Sequence, residues 1–240
     1  MDTALKTAIV LIATGEKYRA HAQRFLASAY DCLGFPYDVL MFTDAPEAFP
    51  YLTKPLKTPA LVYPQATLLR YHMFYAASER LKHYDQIFYS DVDMLFVAPV
   101  AGTEIWSDGI TATMHPGFVG LPGSTEQNPL SAAYLPRACT YFCGGFNGGD
   151  SKAFLKMSGV IRDAVDRDTR NGITAVWHDE SHLNRYLYDN PPARILTPEF
   201  CFPESEMVAF PNGRYAKLWE AAGRTDIVRP RLVALDKESR

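Results

Sequence analysis

Residues 86–93 have the sequence Gln-Ile-Phe-Tyr-Ser-Asp-Val-Asp, in which an apolar run passes directly into two aspartates. Residues 87–89 have the composition of a buried strand. An earlier run, residues 7–13, lacks polar alternation, which is typical of a strand buried on both faces of a parallel sheet. Parallel strands end at one edge of the sheet, where α/β proteins bind nucleotides. The aspartates are therefore expected at a ligand-binding edge.

Strands and helices alternate through the first hundred residues. Strands are predicted for residues 7–13, 37–42 and 86–89, and helices for residues 16–33 and 65–81, where apolar positions recur at helical spacing. This order predicts an α/β fold with a doubly wound, largely parallel sheet flanked by helices. We expect a single domain over residues 1–240, with the nucleotide-binding part at about 1–100.

Composition narrows the class of protein. The chain has 240 residues, of which 48% are hydrophobic, so it can bury a sizeable core. A net charge of −3 argues against general nucleic-acid binding. The apolar runs are far shorter than a transmembrane segment, and the first residues lack the pattern of a signal peptide. These features predict a cytoplasmic protein without a transmembrane segment.

Asp91 and Asp93 flank Val92 in a DxD triplet. Two carboxylates at the end of a strand suit a hard divalent cation such as Mn²⁺ or Mg²⁺, which can bridge to a diphosphate. A turn is the alternative, because aspartate is common in turns. Two carboxylates between buried segments destabilise the fold unless another group compensates their charge.

Residues 177–184, Trp-His-Asp-Glu-Ser-His-Leu-Asn, concentrate acids, histidines and an aromatic ring. If a helix starts at Asp179, its first turn favours the negative charges there. We expect a buried Trp177 beside these groups, as in a catalytic pocket. Two alternatives are a solvated capping cluster and a zinc site on His178 and His182, which are four residues apart.

Residues 143–149, Cys-Gly-Gly-Phe-Asn-Gly-Gly, contain four glycines in six positions. Glycine allows a ligand to approach the backbone closely, and such a segment is unusual in a simple strand. A bulged strand followed by a turn is the alternative. The segment is followed by a predicted helix with Ser151 as candidate N-cap. Residues 116–136 predict a long functional or mobile loop.

Together these segments resemble the family 6 glycosyltransferases, which include the histo-blood-group A and B transferases and the α1,3-galactosyltransferase. The similar segments occur in the family's order and cover roughly residues 7–203; they are Asp91-Val-Asp-Met, His115-Pro-Gly-Phe, Ala132-Ala-Tyr-Leu-Pro136, residues 141–149, residues 177–184 and Ile195-Leu-Thr-Pro-Glu199. The segment at 177–184 is the most specific of them. Because Asp91 and Asp93 are both acidic, the chain resembles the metal-dependent members rather than the bacterial members that have Asn-x-Asn at this place. The sequence lacks the N-terminal membrane anchor and stem of the animal enzymes, so we expect a soluble bacterial or viral type.

The resemblance implies a GT-A fold, with the donor-sugar and acceptor-binding part at about residues 101–240. It also implies that Asp91 and Asp93 hold Mn²⁺ or Mg²⁺ against the diphosphate of a UDP-sugar. The implied catalytic residue is Glu180. The implied donor-binding residues are Tyr18, Arg70, Asp91, Val92, Asp93, Cys143, Gly144, Gly145, Asp179 and Lys237, and the implied acceptor-binding residues are His115, Trp177 and Glu180. The resemblance implies that Arg240, like Lys237, folds over the diphosphate as part of a basic C-terminal tail; a frayed terminus is the alternative.

The implied reaction transfers GalNAc or Gal in α1,3 linkage and retains the configuration of the sugar. The implied acceptor is an oligosaccharide or glycolipid that contains galactose. In the A and B transferases this galactose is fucosylated. Cys143, Gly144 and Gly145 correspond to the positions that set donor choice. Their small size favours UDP-GalNAc over UDP-Gal. Two alternatives stay open: a metal-dependent hydrolase of UDP-sugars, and a sugar-nucleotide-binding or glycan-binding protein without catalytic activity.

Overall fold

A central sheet of seven strands organises the computed structural model, which describes residues 5–52, 55–137 and 139–236. The strands are β1 (Thr7–Ala13), β2 (Tyr37–Thr43), β3 (Leu56–Lys57), β4 (Gln86–Ser90), β5 (Met94–Phe96), β6 (Ile110–Met114), β7 (Phe142–Asp150), β8 (Arg194–Leu196), β9 (Phe202–Pro203) and β10 (Leu232–Ala234). The central sheet has the order β3-β2-β1-β4-β7-β6-β8, and β5, β10 and β9 form a small second sheet.

Strand β7 is the exception to the parallel arrangement. The neighbours β3, β2, β1 and β4 run parallel to one another, and β6 runs parallel to β8. β7 lies antiparallel to both β4 and β6. The prediction of a largely parallel sheet is therefore confirmed. The glycine-rich segment forms a strand with a register shift opposite it in β6, and it leads directly into a helix at Ser151 rather than into a turn.

Helices cover both faces of the central sheet. They are α1 (Glu16–Cys32), α2 (Gln65–Leu68), α3 (Arg70–Ala76), α4 (Ser78–Leu81), α5 (Gly102–Ile105), α6 (Ser151–Arg170), α7 (His178–Asp189), α8 (Glu204–Met207) and α9 (Arg214–Ala221). In β1, Ala8 and Val10 belong to the core under α3, α6 and α7, whereas Ile9 and Leu11 belong to the core under α1. Burial on both faces explains why the strand has no polar alternation.

Three predicted helix boundaries differ from the structure. The helix predicted over residues 65–81 is interrupted at Leu69 and Ala77, where ψ is 3° and 9°; apolar spacing indicates the buried face but not such local backbone turns. The N-cap of α6 is Asp150 rather than Ser151, because the Asp150 carboxylate accepts a hydrogen bond from the Ala153 N–H at 3.0 Å. Helix α7 begins at His178, one residue before the predicted start.

The irregular segment predicted at residues 116–136 is present. After a short 3₁₀ turn at Pro116–Phe118, the described residues up to 141 form neither helix nor strand. Within the described part of the chain, no helix is both long enough and apolar enough to cross a membrane.

Candidate active site

A pocket of about 210 Å³ opens at the carboxyl edge of β1 and β4. Five residues predicted from the sequence line it together: Tyr18, Arg70, Asp91, Val92 and Asp93. Its other lining residues are Ile12, Thr14, Leu61, Tyr63, Ala66, Thr67 and Tyr89. The ends of adjacent parallel strands form the usual ligand site of an open α/β sheet. The pocket therefore lies where the strand pattern predicted it.

The Asp91-Val92-Asp93 triplet is a tight turn between β4 and β5. The Asp91 N–H donates to the carbonyl of Gly145 on β7 at 2.8 Å, and the Asp93 carbonyl accepts from the Leu235 N–H at 2.9 Å. The two backbone contacts hold the turn from both sides. The turn and the metal-binding interpretations are thus compatible, since both aspartates of the turn line the pocket.

Arg70 compensates the acidic charge of the site. Its side chain is buried, and its three nitrogens contact three different groups. Nε lies 3.1 Å from Asp179 Oδ2, Nη2 lies 3.2 Å from Asp91 Oδ1, and Nη1 donates to the Gly144 carbonyl at 3.0 Å. The guanidinium also lies 4.4 Å from the centre of the Tyr89 ring. Arg70 therefore joins α3, the DxD turn, β7 and α7 in one cluster.

Tyr89 is a site residue that sequence reasoning missed. Its hydroxyl donates a hydrogen bond to Asp91 Oδ1. Alternation along β4 predicts only that Tyr89 is buried on the same face as Ile87. A buried tyrosine two residues before a carboxylate pair was the available signal, because a buried hydroxyl needs a hydrogen-bond partner.

The start of α7 brings both acids of the 177–184 segment into the cluster. Asp179 pairs with Arg70, and Glu180 Oε2 accepts a hydrogen bond from the Gly144 N–H at 2.7 Å. Asn184, one turn later, exchanges two hydrogen bonds of 2.8 Å with the backbone of Phe142. Because Asn184 fixes α7 against β7, Glu180 is held opposite Gly144.

Burial shifts the pKa values of these groups. Burial raises the pKa of Asp179 to about 6, although the charge of Arg70 opposes the shift. Burial also raises the pKa of Glu180 to about 7, against the hydrogen bond from Gly144. Burial alone would lower the pKa of Arg70, but Asp179 and its other neighbours keep it above its usual value. Glu180 therefore changes charge near neutral pH, where a carboxylate is normally always ionised.

Space around the glycines of β7 is limited on the side of the cluster. A Cβ atom on Gly144 would lie 3.4 Å from Glu180 Oε2. A Cβ atom on Gly145 would lie 3.1 Å from Met94 Sδ and 3.3 Å from Asp91 Oδ2. Cys143, the first residue of the predicted donor-binding triplet, is buried. The two glycines thus lie against the predicted metal-binding and catalytic carboxylates.

The predicted acceptor residues lie on neighbouring elements. His115 follows β6, and its ring packs edge-on against Tyr141, 5.8 Å between centres. Burial lowers the pKa of His115 to about 4, so it is neutral, and its Nδ1 accepts from the Gly117 N–H. Trp177 precedes α7 and is 49% exposed rather than buried as predicted, because its indole belongs to none of the core clusters that the described residues form and instead donates a hydrogen bond to Ser124 of the irregular segment.

Three further predictions concern the C-terminal lysine, the tyrosine at the pocket and the histidine pair. Lys237, like Arg240, lies outside the described residues. Tyr18 is at the rim of the pocket, 41% exposed. His178 and His182, the pair in the zinc alternative, contact different partners: His178 Nδ1 lies 3.3 Å from the Tyr63 hydroxyl, and His182 Nε2 lies 3.7 Å from Asp168 Oδ2.

The carboxylates of Asp91 and Asp93 are suited to bind a divalent cation together with a substrate. Asp91 and Asp93 border one pocket, and the recorded contacts of the Asp91 carboxylate with Arg70 and Tyr89 involve Oδ1. Among the described residues, no group of three or more His, Cys, Asp or Glu side chains could hold an ion alone. Mg²⁺ and similar ions take a few carboxylate oxygens and complete their shell with phosphate and water. Asp91 and Asp93 are therefore of the kind that would hold a divalent cation together with a phosphate-containing substrate.

The pocket lies between β1 and β4, where the strand order of the sheet reverses, and this is the usual place for a nucleotide to bind in an open α/β sheet. Residues 3–212 match Glycosyltransferase family 6. The chain belongs to this family, and its α/β architecture is the GT-A type.

Three relatives illustrate the similarity. Rat histo-blood group ABO system transferase 1 is 37% identical over 142 residues, which cover 57% of this chain and 40% of the relative. Chicken globoside alpha-1,3-N-acetylgalactosaminyltransferase 1 is 28% identical over 224 residues, 85% of this chain and 64% of the relative. O-antigen biosynthesis glycosyltransferase WbnI of Escherichia coli is 26% identical over 208 residues, 82% of this chain and 87% of the relative. The chain thus spans less than two thirds of the length of the animal relatives.

Proposed function

We propose that this protein is a metal-dependent, retaining glycosyltransferase that transfers GalNAc from UDP-GalNAc in α1,3 linkage to a galactose-containing acceptor. The observation that carries the proposal is the cluster at the carboxyl edge of the sheet. There Arg70 links Asp91, a predicted metal ligand, to Asp179 and to the Gly144 carbonyl beside Glu180. A relative named as an α1,3-N-acetylgalactosaminyltransferase over 85% of this chain supports the linkage and the sugar.

The pocket suits the UDP part of the donor. Asp91 and Asp93 would hold Mn²⁺ or Mg²⁺, which neutralises charge on the departing diphosphate. Tyr18 at the rim offers an aromatic surface for uracil, and Arg70 supplies a fixed positive charge near the phosphates and the sugar. Because Arg70 is already paired with two carboxylates, its guanidinium is held in place before the donor binds.

Glu180 is assigned the central role in transfer. The bond between the anomeric carbon and the UDP oxygen breaks, a bond from that carbon to an acceptor hydroxyl oxygen forms, and the proton of the hydroxyl passes to the departing phosphate oxygen of UDP. Retention follows either from attack by the Glu180 carboxylate and a second displacement, or from same-face attack with Glu180 stabilising the positive charge that develops. In both routes the ionised form of Glu180 is the active one.

Sugar selectivity is assigned to the β7 glycines and acceptor binding to His115 and Trp177. A side chain at Gly145 would fill the space beside Asp91 and Met94, so glycine there leaves room for the N-acetyl group. Because Nδ1 of the neutral His115 imidazole accepts from Gly117, its Nε2–H can donate a hydrogen bond to a sugar hydroxyl. The half-exposed Trp177 offers an apolar face to a sugar ring.

The test measures UDP release from UDP-GalNAc and from UDP-Gal, each with and without lactose or 2′-fucosyllactose. Release that depends on the acceptor, with formation of an α1,3-linked product, supports the transferase. Equal release in both conditions indicates a hydrolase, and UDP binding without any release indicates a non-catalytic binder. A higher kcat/KM with UDP-Gal than with UDP-GalNAc would contradict the donor assignment.

A further inference from the structure

Two buried carboxylates that the proposed chemistry does not use hold the irregular segment after β6 against the helical layer. Glu126 is 7% exposed, and Asp168 on α6 is 2% exposed. Asp168 accepts hydrogen bonds from the Ser131 hydroxyl at 2.6 Å and from the Ala132 N–H at 2.7 Å. A buried carboxylate destabilises the fold unless its oxygens are satisfied, so each of these acids requires its partners to stay in place.

Glu126 connects the segment directly to the approach of α7. Its Oε1 accepts from the Asn128 N–H at 2.7 Å, and its Oε2 accepts from the Val176 N–H at 2.7 Å. Its own carbonyl accepts from the Leu135 N–H at 3.1 Å. One oxygen thus fixes the fold of the loop, and the other fixes the residue immediately before Trp177.

Trp177 is held from the same segment at a second point. Its indole N–H donates to the Ser124 hydroxyl at 2.8 Å, two residues from Glu126, and its backbone N–H donates to the Ser181 hydroxyl at 3.0 Å. Since the Trp177 side chain is 49% exposed, core packing does not fix its orientation. Its position depends on Ser124, on Ser181 and on the backbone that Glu126 holds.

We propose that Glu126 is a positioning residue for the acceptor side of the site, and that it acts by holding Val176 and therefore the Trp177 indole in place. This inference rests on the proposed function, because it needs Trp177 to contact the acceptor. Glu126 touches neither the donor pocket nor Glu180, so its contribution is confined to acceptor binding. Asp168 is a second anchor that keeps the loop around Glu126 in its conformation.

Glu126→Gln isolates the contact with little change of shape. The amide keeps one acceptor oxygen and replaces the other with an N–H₂ donor, which faces a backbone N–H and cannot accept from it. Either Asn128 or Val176 then loses its partner. Because the lost hydrogen bond lets Val176 and the Trp177 indole move away from the acceptor, we expect the acceptor KM for 2′-fucosyllactose to rise about tenfold.

The experiment compares Glu126→Gln with the wild type and with Glu79→Gln, a change of an exposed glutamate on α4. The expected result is a raised acceptor KM with a donor KM and a UDP Kd, measured by calorimetry, that stay within about twofold. In a Trp177→Ala background, Glu126→Gln should add little, because both changes remove the same contact. Glu79→Gln should leave all three constants unchanged.

If Glu126→Gln does not fold, Ser124→Ala removes the partner of the indole while leaving Glu126 intact, and it should raise the acceptor KM in the same way. An unchanged acceptor KM in a folded Glu126→Gln or Ser124→Ala variant would overturn the inference. So would an equal loss of donor and acceptor affinity, or full additivity with Trp177→Ala. Failure of the proposed function is distinguishable, because the wild type itself would then show no acceptor-dependent UDP release.

Discussion

Replacing Arg70 by methionine tests whether one buried cation holds the acidic cluster together. Arg70 and Asp179 are 5% and 4% exposed, and their side chains meet at 3.1 Å. Removing one partner of a buried ion pair costs about 3–5 kcal/mol, because the other charge stays buried without compensation. The lost contacts to Asp91, which is partly exposed, add less. The loss is a large part of the roughly 5–15 kcal/mol that stabilises a typical domain, yet a folded variant is expected.

The stability lost in the Arg70→Met variant should be larger at high pH than at low pH. Burial has already raised the pKa of Asp179 to about 6, and without the opposing charge of Arg70 it rises further. An acid whose pKa is higher in the folded than in the unfolded state stabilises the fold at low pH, and this stability is lost as the pH rises through the folded pKa. At pH 5 Asp179 in the variant is protonated and tolerates the missing cation. At pH 8 Asp179 in the variant either keeps its proton at a cost in free energy or is ionised without a partner. The variant therefore loses more stability at pH 8 than at pH 5.

The assay is urea unfolding followed by circular dichroism at pH 5 and pH 8. Arg80→Met, a change of an exposed arginine on α4, is the matched control and should shift stability by less than about 0.5 kcal/mol. Arg70→Met/Asp179→Asn removes both charges and should be more stable at pH 8 than Arg70→Met alone. A loss below about 1 kcal/mol at pH 8, or an equal loss at both pH values, would refute the reasoning.

Four further outcomes follow from the site. Glu180→Gln should lower kcat by about 100-fold or more while the UDP Kd from calorimetry is unchanged, and near-normal turnover would remove Glu180 from its role. Because burial raises the pKa of Glu180 to about 7 and the ionised form is active, kcat/KM should rise with pH through about 7; a flat profile from pH 6 to 8 contradicts this. Asp93→Ala or EDTA should abolish transfer, with restoration by added Mn²⁺ only for EDTA; undiminished activity would exclude the metal. Gly145→Ala places a methyl group 3.1 Å from Met94 Sδ, so kcat/KM should fall more for UDP-GalNAc than for UDP-Gal, by at most about 1–3 kcal/mol in relative terms; equal effects would contradict the donor assignment.

The strands that carry the pocket were predictable because their signal is local. Residues 7–13 are apolar without alternation, and the structure buries the two sides of β1 in different cores. The same logic identified β4 and placed Asp91 at its end. A continuous apolar run followed by two carboxylates is determined by burial alone, so no long-range contact is needed to recognise it.

The partners of those carboxylates were only partly predictable. The cost of leaving two acids between buried segments predicts that some group compensates them. Spacing could not indicate that the group is Arg70, 21 residues earlier on α3, because their meeting depends on how α3 packs on the sheet. Family resemblance suggested Arg70 as a donor-binding residue, but it carried no information about the pair with Asp179. The structure adds that Arg70 holds the site together before any ligand arrives.

The direction of β7 explains why four glycines occur in one strand. Running antiparallel between β4 and β6, β7 begins at the pocket edge, and the pairing of Ser90 with Phe146 sets Gly145 beside Asp91. The later glycines serve the strand itself: a Cβ on Gly148 would lie 2.2 Å from the Ile87 carbonyl oxygen, and Gly149 has φ 119°. Gly148 and Gly149 therefore allow β7 to pack closely between its neighbouring strands, while Gly144 and Gly145 leave space at the carboxylates. The composition that makes the segment unusual as a strand thus has two separate physical causes, and only the first half of the segment belongs to the site.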